Sequence, residues 1–220
     1  MHEQRGLFVT VDGPSGVGKS TLVRLLAQRL RSTGTPTHLT AEPTDSDIGQ
    51  LARAKVEDSG GAVLACLFTA DRYQHLTDEV RPRLAQGYNV VSDRYIASGM
   101  VMQRLDQLDL RFLQVINAYA DNPDLVVILT ASPGVVRERL VGRGQHNRYQ
   151  FERDSSQLES QFYEDAADYL EARGTRVMQV DTTGVAPEVI AAQVHDELAT
   201  LMRPTVPSGA TVSAKEQQQG

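Results

Sequence analysis

The stretch from Leu7 to Leu30 constrains the fold more than any other part of the sequence. An apolar run over residues 7–12 precedes a glycine-rich turn, and leucines then recur at helical spacing. This order predicts a strand, a turn and a helix. The turn, Gly13-Pro14-Ser15-Gly16-Val17-Gly18-Lys19-Ser20, matches the pattern G-x-x-x-x-G-K-[ST]. Its glycines let backbone N–H groups point inward, and the helix adds its positive N-terminal end, so the segment predicts a phosphate-binding site.

The side chains of this P-loop turn have separate predicted roles. The ammonium of Lys19 is expected to reach the β and γ phosphates of ATP, and the Ser20 hydroxyl is expected to ligate Mg²⁺. Asp93 ends a later apolar run in the manner of a Walker-B acid, and we expect it to hold the same ion. The residues predicted to bind ATP through this turn are Gly13, Pro14, Ser15, Gly16, Val17, Gly18, Lys19, Ser20 and Thr21.

Apolar runs alternate with helical patterns along the rest of the chain. The predicted strands are 7–12, 37–41, 89–93, 124–130 and 176–181. Such runs are typical of a parallel sheet that helices cover on both faces, so we expect a three-layer α/β fold of the P-loop NTPase type with five parallel strands. Right-handed crossovers then bring the C-terminal ends of the strands to one edge, where ligands bind in this architecture.

The helical patterns and the polar segments predict the domain organisation. The later helices are expected at about 47–58, 62–86, 133–141, 155–173 and 186–202. Residues 142–154 form an arginine-rich loop that we interpret as a lid over the reacting groups. Residues 1–202 are therefore predicted to form one P-loop domain. The Pro-, Ser-, Thr- and Gln-rich residues 203–220 are predicted to form a disordered tail.

Composition excludes several classes of protein. The 220 residues carry a net charge of −6, from 22 basic and 28 acidic residues, which argues against a broad basic surface for a nucleic-acid polymer. No apolar run approaches the roughly 20 residues that span a bilayer, and no signal-peptide core precedes the first strand. With the single cysteine, Cys66, these features predict a cytoplasmic protein without membrane partners. His75 and His146 match no metal spacing and are interpreted as surface or packing residues.

Among P-loop proteins, the sequence favours a small-molecule kinase. A GTPase needs N/T-K-x-D, and none of the three lysines, Lys19, Lys55 and Lys215, is followed by aspartate two residues later. A helicase or translocase needs a larger core and a basic path for the strand, which this acidic chain does not offer. A kinase needs a second anion site and a mobile arginine-rich flap, and residues 142–154 fit such a flap.

Four segments resemble the thymidylate kinase family of nucleoside monophosphate kinases. They are the P-loop at 13–20, Glu42-Pro43, Leu67-Phe68-Thr69-Ala70-Asp71-Arg72, and Asp93-Arg94-Tyr95-Ile96-Ala97-Ser98-Gly99. The last is similar to the family signature D-R-[YFH]-x-x-S. The resemblance extends over about residues 7 to 200. It implies transfer of the γ-phosphoryl group of ATP to dTMP in a homodimer that uses Mg²⁺.

The resemblance also implies roles for single residues. Phe68 would stack on the thymine ring, Arg72 would contact the base and a nearby phosphate, and Arg94 would bind the acceptor phosphate. Because Gly16 stands where other members carry a P-loop arginine, Arg148 of the lid would act on the transferring group, with Arg143 as a second candidate. The substrate-binding set is Asp12, Glu42, Pro43, Phe68, Arg72, Arg94, Ser98, Gly99 and Gln103. Arg139 and Arg143 join the ATP-binding set.

Several positions depart from the family pattern and keep alternatives open. They are Ala41, Ser15 and Met102 on the acceptor side, and Asn147 and Gln150 in the lid. A second hypothesis is therefore a kinase of another or modified pyrimidine monophosphate, such as a dUMP- or CMP-like nucleotide. A third is a nucleotide-binding regulator without catalytic activity.

Overall fold

Five parallel strands form one sheet in the computed structural model, which describes residues 5–141 and 155–202, with the backbone alone for 155–157. The strand order is β2-β3-β1-β4-β5, so β1 pairs with β3 on one side and with β4 on the other. In this register Val9 lies beside Val91 of β3 and Leu125 of β4. The predicted five-stranded parallel sheet is confirmed. The strands are β1 (Phe8–Asp12), β2 (Thr37–Ala41), β3 (Asn89–Asp93), β4 (Leu125–Thr130) and β5 (Arg176–Asp181).

Helices follow the strands as the periodicity predicts, with one difference. The predicted helix over 62–86 is interrupted by a π-helical segment, Leu76–Val80, because Pro82 has no N–H group to continue the regular hydrogen bonds. The helices are α1 (Lys19–Ser32), α2 (Asp47–Lys55), α3 (Gly61–His75), α4 (Arg81–Ala85), α5 (Ile96–Leu105), α6 (Leu110–Ile116), α7 (Pro133–Val141), α8 (Ser155–Ala172) and α9 (Pro187–Met202).

Each face of the sheet packs against its own apolar core. Phe8 of β1 belongs to the core under α3, α5, α6 and α8, whereas Val9 and Val11 point to the core under α1 and α9. Side chains alternate along a strand, so a strand buried on both faces needs apolar residues at successive positions. The same alternation places Asp12 on the face that α5 covers, and its carboxylate is fully buried there. A polar residue therefore enters the protein interior at the end of β1.

The predicted lid, 142–154, and the predicted tail, 203–220, lie outside the described residues. The lid prediction is accordingly neither confirmed nor corrected. Within residues 5–141 and 155–202, no helix combines the length and the apolar character that crossing a membrane requires.

Candidate active site

Three turns at the C-terminal edge of the sheet enclose one cleft. β1 leads into the P-loop, β2 leads to Glu42-Pro43, and β3 ends at Asp93. Parallel strands share this edge, so segments far apart in sequence become neighbours there. The cleft is lined by Ser15, Gly16, Gly18, Lys19, Ser20, Ala41, Glu42, Pro43, Arg53, Asp93, Arg94 and Leu140. The cleft therefore brings residues predicted to bind phosphate and metal together with Glu42, Pro43 and Arg94 of the acceptor set. Its lining residues do not include Phe68, Arg72, Ser98, Gly99 and Gln103.

The P-loop has the backbone geometry that its glycines predict. Gly13 has φ of 140°, and a Cβ atom there would lie 2.4 Å from the carbonyl oxygen of Leu129. Gly18 has φ of 114° and faces open space, and it precedes α1 without a side-chain capping bond. The first N–H groups of α1 are thus left to an anion, which the helix dipole also favours.

Lys19 is buried at the centre of this turn. Its ammonium donates to the carbonyl oxygens of Gly13 at 2.9 Å and Pro14 at 2.7 Å. Burial, together with the nearby Arg94 guanidinium, lowers the pKa of Lys19 to about 7, although Asp93 and other acids oppose the shift. An anionic phosphate in the cleft would favour the charged form of Lys19.

The metal prediction can be tested on the donor atoms that are present. The Ser20 hydroxyl donates to Asp93 Oδ2 at 2.5 Å, so a hydroxyl oxygen and a carboxylate meet beside Lys19. Within the described part of the chain, no group of three or more His, Cys, Asp or Glu residues could hold a metal ion. Two oxygen donors fit Mg²⁺, which commonly keeps water and phosphate oxygens as its other ligands. The residues present therefore fit a Mg²⁺–nucleotide complex.

Arg94 has a strained backbone at the predicted acceptor side. Its φ of 76° lies in the left-handed region, which is unfavourable for a residue with a Cβ atom. Its N–H donates to Val11 O at 2.9 Å, and its guanidinium lies 3.3 Å from Ser98 Oγ and 4.0 Å from Met102 Sδ. The conformation turns the guanidinium into the cleft that contains Lys19.

Asp12 makes its contacts with the backbone of the next layer. Its Oδ1 accepts hydrogen bonds from the N–H groups of Tyr95 at 3.0 Å and Ser98 at 2.9 Å, and its Oδ2 accepts one from Thr10 Oγ1 at 3.0 Å. The carboxylate thereby satisfies N–H groups at the N-terminal end of α5. Its predicted contact with the substrate stays a prediction.

Arg72 and Glu42 form a buried ion pair beside the acceptor side. Arg72 Nε donates to Glu42 Oε2 at 2.9 Å, and other N–H groups of the guanidinium reach Asn117 Oδ1 at 2.5 Å and Tyr95 O at 3.2 Å. Burial alone would lower the pKa of Arg72, but the Glu42 carboxylate raises it above its usual value. The guanidinium is thus charged and held by protein groups on several sides. Its predicted contact with the base stays a prediction.

Gly99 and Gln103 of α5 lie beside Arg72. A Cβ atom at Gly99 would lie 3.0 Å from Arg72 Nη2 and 3.4 Å from Gln103 Oε1, so this glycine leaves room for the Arg72 guanidinium next to α5. Gln103 and Ser98 are buried. Phe68 of α3 is half-buried and belongs to neither apolar core. Part of the Phe68 ring is therefore accessible for stacking on a base.

A second cleft, on the other side of the P-loop, fits the predicted nucleotide donor site. Arg139 of α7 donates to Val17 O at 2.9 Å and to Thr182 Oγ1 at 3.0 Å, and so ties the P-loop to the turn after β5. The sequence pattern did not single out the residues after β5, although they too follow a strand at the same sheet edge. The cleft is lined by Gly16, Val17, Gly18, Thr21, Leu22, Leu129, Arg139, Thr182, Val185, Pro187 and Ile190.

A family model described as thymidylate kinase matches residues 11–212 of the chain. The chain belongs to the thymidylate kinase family. A probable thymidylate kinase of Caldivirga maquilingensis is 38% identical over 158 residues, which cover 70% of this chain and 76% of that protein. A thymidylate kinase of Clavibacter sepedonicus is 35% identical over 201 residues, covering 86% and 93% of the two chains.

The fold of this thymidylate kinase family member also matches a solved structure. Thymidylate kinase from Candida albicans superposes with a TM-score of 0.74, at 22% identity, over 90% of this chain and 92% of that one. The predicted P-loop NTPase fold is thereby confirmed. Family membership makes the chain a nucleoside monophosphate kinase, and it does not favour the non-catalytic regulator or the kinase of another pyrimidine nucleotide.

Four residues beside the site were not anticipated from the sequence. Arg53 of α2 lines the cleft next to Ala41 and donates to Asp45 Oδ1 at 2.9 Å. Glu159 and Tyr163 lie one helical turn apart on α8, where burial raises the pKa of both groups while the nearby Arg94 lowers it. His75, interpreted from the sequence as a surface or packing residue, is buried and hydrogen-bonded. In the sequence these residues are indistinguishable from ordinary members of amphipathic helices.

Arg143, Arg148, His146, Asn147 and Gln150 lie outside the described residues. The roles predicted for the lid arginines therefore stay predictions.

Proposed function

We propose that this member of the thymidylate kinase family transfers the γ-phosphoryl group of ATP to dTMP, giving ADP and dTDP. The observation that carries the proposal is the convergence of Lys19, the Ser20–Asp93 pair and Arg94 on one cleft, which Glu42 and Pro43 also line. A cleft with cationic groups at its base and a separate donor pocket behind the P-loop suits two anionic nucleotides that meet end to end.

The proposed reaction is a direct displacement. An oxygen of the acceptor phosphate forms a bond to the γ-phosphorus of ATP while the bond to the β–γ bridging oxygen breaks, so ADP leaves and no covalent enzyme intermediate forms. Lys19 and the first N–H groups of α1 stabilise the phosphate charge on the donor side, and Arg94 neutralises the acceptor phosphate. Mg²⁺, held by Ser20 and Asp93, would supply charge neutralisation of the β and γ phosphates.

The side chains on the acceptor side of the cleft suit a pyrimidine nucleotide as the acceptor. The half-buried ring of Phe68 is proposed to stack on the base, and Gly99, Gln103 and Ser98 of α5 are proposed to line the acceptor pocket. Ala41 offers no charge to the acceptor phosphate. Arg53 stands beside it in the same cleft, so we propose that Arg53 and Arg94 together bind this phosphate.

Arginines of the predicted lid, 142–154, are proposed to neutralise the negative charge of the transferring phosphoryl group. We assign the contact with the transferring phosphoryl group to Arg148, with Arg143 as the second candidate, and Arg139 to the ATP side. Arg148→Ala is then expected to lower kcat by about 10²-fold or more while the KM for dTMP changes little, because the contact exists mainly in the transition state.

The test is a set of initial rates with ATP and dTMP, dUMP, UMP, CMP or dCMP as acceptor. We expect the highest kcat/KM with dTMP, and loss of roughly 10³-fold or more in Lys19→Met, a control for contaminating kinases. A wild-type enzyme that uses another monophosphate better than dTMP would sink the acceptor assignment. Binding of ATP without any transfer would overturn the kinase proposal itself.

The assembly and the cellular context are proposals as well. We propose a homodimer in the cytoplasm that binds small nucleotides and no nucleic-acid polymer. Light scattering coupled to size exclusion would test the dimer, and titration with single-stranded DNA at low salt would test the absence of polymer binding.

A further inference from the structure

A chain of buried polar side chains extends from α3 to the acceptor side of the cleft. His75, at the end of α3, has a side chain with no exposed surface. Its Nδ1 lies 3.1 Å from Glu42 Oε1, and its Nε2 lies 2.7 Å from Thr40 Oγ1. A carboxylate only accepts hydrogen bonds, so Nδ1 carries a proton, and in the neutral ring Nε2 accepts from the threonine hydroxyl. Both ring nitrogens thus act on the segment that joins β2 to the cleft.

Glu42 is held from two sides by the same helix. Its Oε1 faces His75, and its Oε2 accepts from Arg72, whose Nη2 lies 2.8 Å away. The side chains of Arg72 and Glu42 are only 4% and 5% exposed. A buried carboxylate that loses a hydrogen-bond partner destabilises the fold, so the orientation of the Glu42 carboxylate depends on both Arg72 and His75.

Arg72 links Glu42 to α5, the helix that carries the predicted acceptor residues Ser98, Gly99 and Gln103. Its guanidinium reaches Tyr95 O, lies 5.2 Å from the centre of the Tyr95 ring, and packs against Gly99. A rotation of Glu42 would therefore move Arg72 against α5.

Glu79 lies on the outer side of His75. Its Oε2 lies 3.6 Å from His75 Nε2, beyond hydrogen-bond distance, and its Oε1 lies 2.5 Å from His38 Nε2. Glu79 and His38 are 36% and 25% exposed, so these two residues reach the surface.

We propose that His75 is a positioning residue of the acceptor site, which holds Glu42 in the orientation that fixes the guanidinium of Arg72. The inference rests on the proposed function and on the prediction, from the family resemblance, that Arg72 contacts the base of the acceptor nucleotide. His75 touches neither substrate. Its effect is on binding of the acceptor nucleotide and not on the donor side, because Lys19 and Arg139 make their hydrogen bonds with the P-loop and not with Glu42 or Thr40.

The test compares His75→Leu with His75→Gln. Leucine leaves Glu42 Oε1 and Thr40 Oγ1 without their partner, and we expect the KM for dTMP to rise about tenfold. The KM for ATP should stay within about twofold and kcat within about threefold, since the lost interaction contributes to ground-state and transition-state binding alike. Glutamine can donate to Glu42 and accept from Thr40, so we expect it to restore most of the affinity for dTMP.

Two further variants separate positioning from general destabilisation. Val194→Ala opens a cavity in the core under α9, away from the chain, and should leave the KM for dTMP unchanged while lowering the free energy of unfolding. Thr40→Val keeps the shape of its side chain and should raise the KM for dTMP by about two- to threefold. This variant keeps the proposal testable if His75→Leu does not fold.

The proposal is overturned if a folded His75→Leu or Thr40→Val binds dTMP like the wild type. It is also overturned if both KM values rise equally, or if His75→Gln is no better than His75→Leu. Wild-type turnover of dTMP tests the proposed function separately. If another monophosphate is the true acceptor, the same comparison with that nucleotide still decides the role of His75.

Discussion

At the scale of single residues, Lys19 shows how strongly the surroundings set the chemistry of a side chain. Its ammonium is surrounded by the carbonyl oxygens of Gly13 and Pro14, with Arg94 on one side and Asp93 on the other. Burial lowers its pKa from 10.5 to about 7. The protein therefore keeps a cation site that is only partly charged near neutral pH until anions enter the cleft.

This pKa predicts proton uptake on nucleotide binding. Below about pH 7 Lys19 is protonated in both the folded and the unfolded chain, so burial of its charge lowers the free energy of unfolding by the full amount. Between about pH 7 and 10.5 Lys19 is neutral in the folded chain but still protonated in the unfolded chain. The free energy of unfolding therefore rises with pH over this range. Phosphates favour the charged form. At about pH 8.5 we therefore expect ATP binding to take up close to one proton, and near pH 6 almost none from Lys19.

Calorimetry in buffers of different ionisation enthalpy measures this uptake. Lys19→Arg is the matched control, because a guanidinium keeps its proton throughout this range and should take up none. Equal uptake in both proteins at the higher pH would contradict the assignment to Lys19.

The backbone of Arg94 leads to a second prediction at this scale. With φ at 76°, Arg94→Gly relieves strain that Arg94→Ala keeps, so the glycine variant should be more stable by about 1 kcal/mol in urea unfolding. Both variants lose the guanidinium, and kcat/KM for dTMP should fall by about 10²-fold or more. If the alanine variant were the more stable one, the strain would lie elsewhere. If it kept the wild-type rate with dTMP, Arg94 would not bind the acceptor phosphate.

At the scale of elements, Asp12 joins the end of β1 to the start of α5. It accepts from the N–H groups of Tyr95 and Ser98, which lie 83 and 86 residues further along the chain. These N–H groups are buried and would otherwise have no acceptor. The same carboxylate thus fixes α5 relative to the P-loop, and with it the distance between the donor and acceptor sides.

Replacing Asp12 tests this join. Asp12→Ala should lower the free energy of unfolding by about 2–3 kcal/mol, because two buried N–H groups lose their partner. Asp12→Asn keeps an accepting oxygen for both N–H groups, and its amide can donate to Thr10 Oγ1, so it should cost less than half as much. Urea unfolding measures both variants. If Asp12→Ala were as stable as the wild type, Asp12 would not be needed to hold α5 at the end of β1. A stable but inactive Asp12→Asn would support the predicted contact of Asp12 with substrate.

At the scale of the whole molecule, one sheet separates two cores and leaves its C-terminal edge to the two clefts. The core under α1 and α9 supports the P-loop helix, and the core under α3, α5, α6 and α8 supports the acceptor side. Although the net charge is −6, cationic side chains concentrate at that edge, where Lys19, Arg53 and Arg94 line one cleft. The arrangement suits small anions.

Truncations on the two faces should destabilise the molecule as one unit. Leu26 and Leu113 have no exposed surface and lie in different cores, so each change to alanine should cost about 2–5 kcal/mol. Leu51, which is 47% exposed, is the control and should cost less than about 1 kcal/mol. Far-UV circular dichroism and tyrosine fluorescence should report one coincident urea transition in each variant. Two separate transitions would show that the faces unfold independently.

Much of this architecture was predictable because its signals are local. The strands over 89–93 and 124–130 follow from short apolar runs, and the P-loop follows from the spacing of its glycines, lysine and serine between a strand and a helix. The π-helical segment before Pro82 was not predicted, because apolar periodicity does not report which carbonyl a helical N–H group bonds.

The amino-acid sequence by itself determined the parallel α/β fold, the phosphate turn and the segments that carry the family resemblance. The tertiary structure alone decided which partners the polar groups have: Asp12 with the N–H groups of α5, and Arg72 and His75 with Glu42. The physical reason is distance along the chain. Periodicity and turn chemistry act between neighbours, whereas a buried charge is stabilised by groups that only the packing of helices on the sheet brings within hydrogen-bond distance.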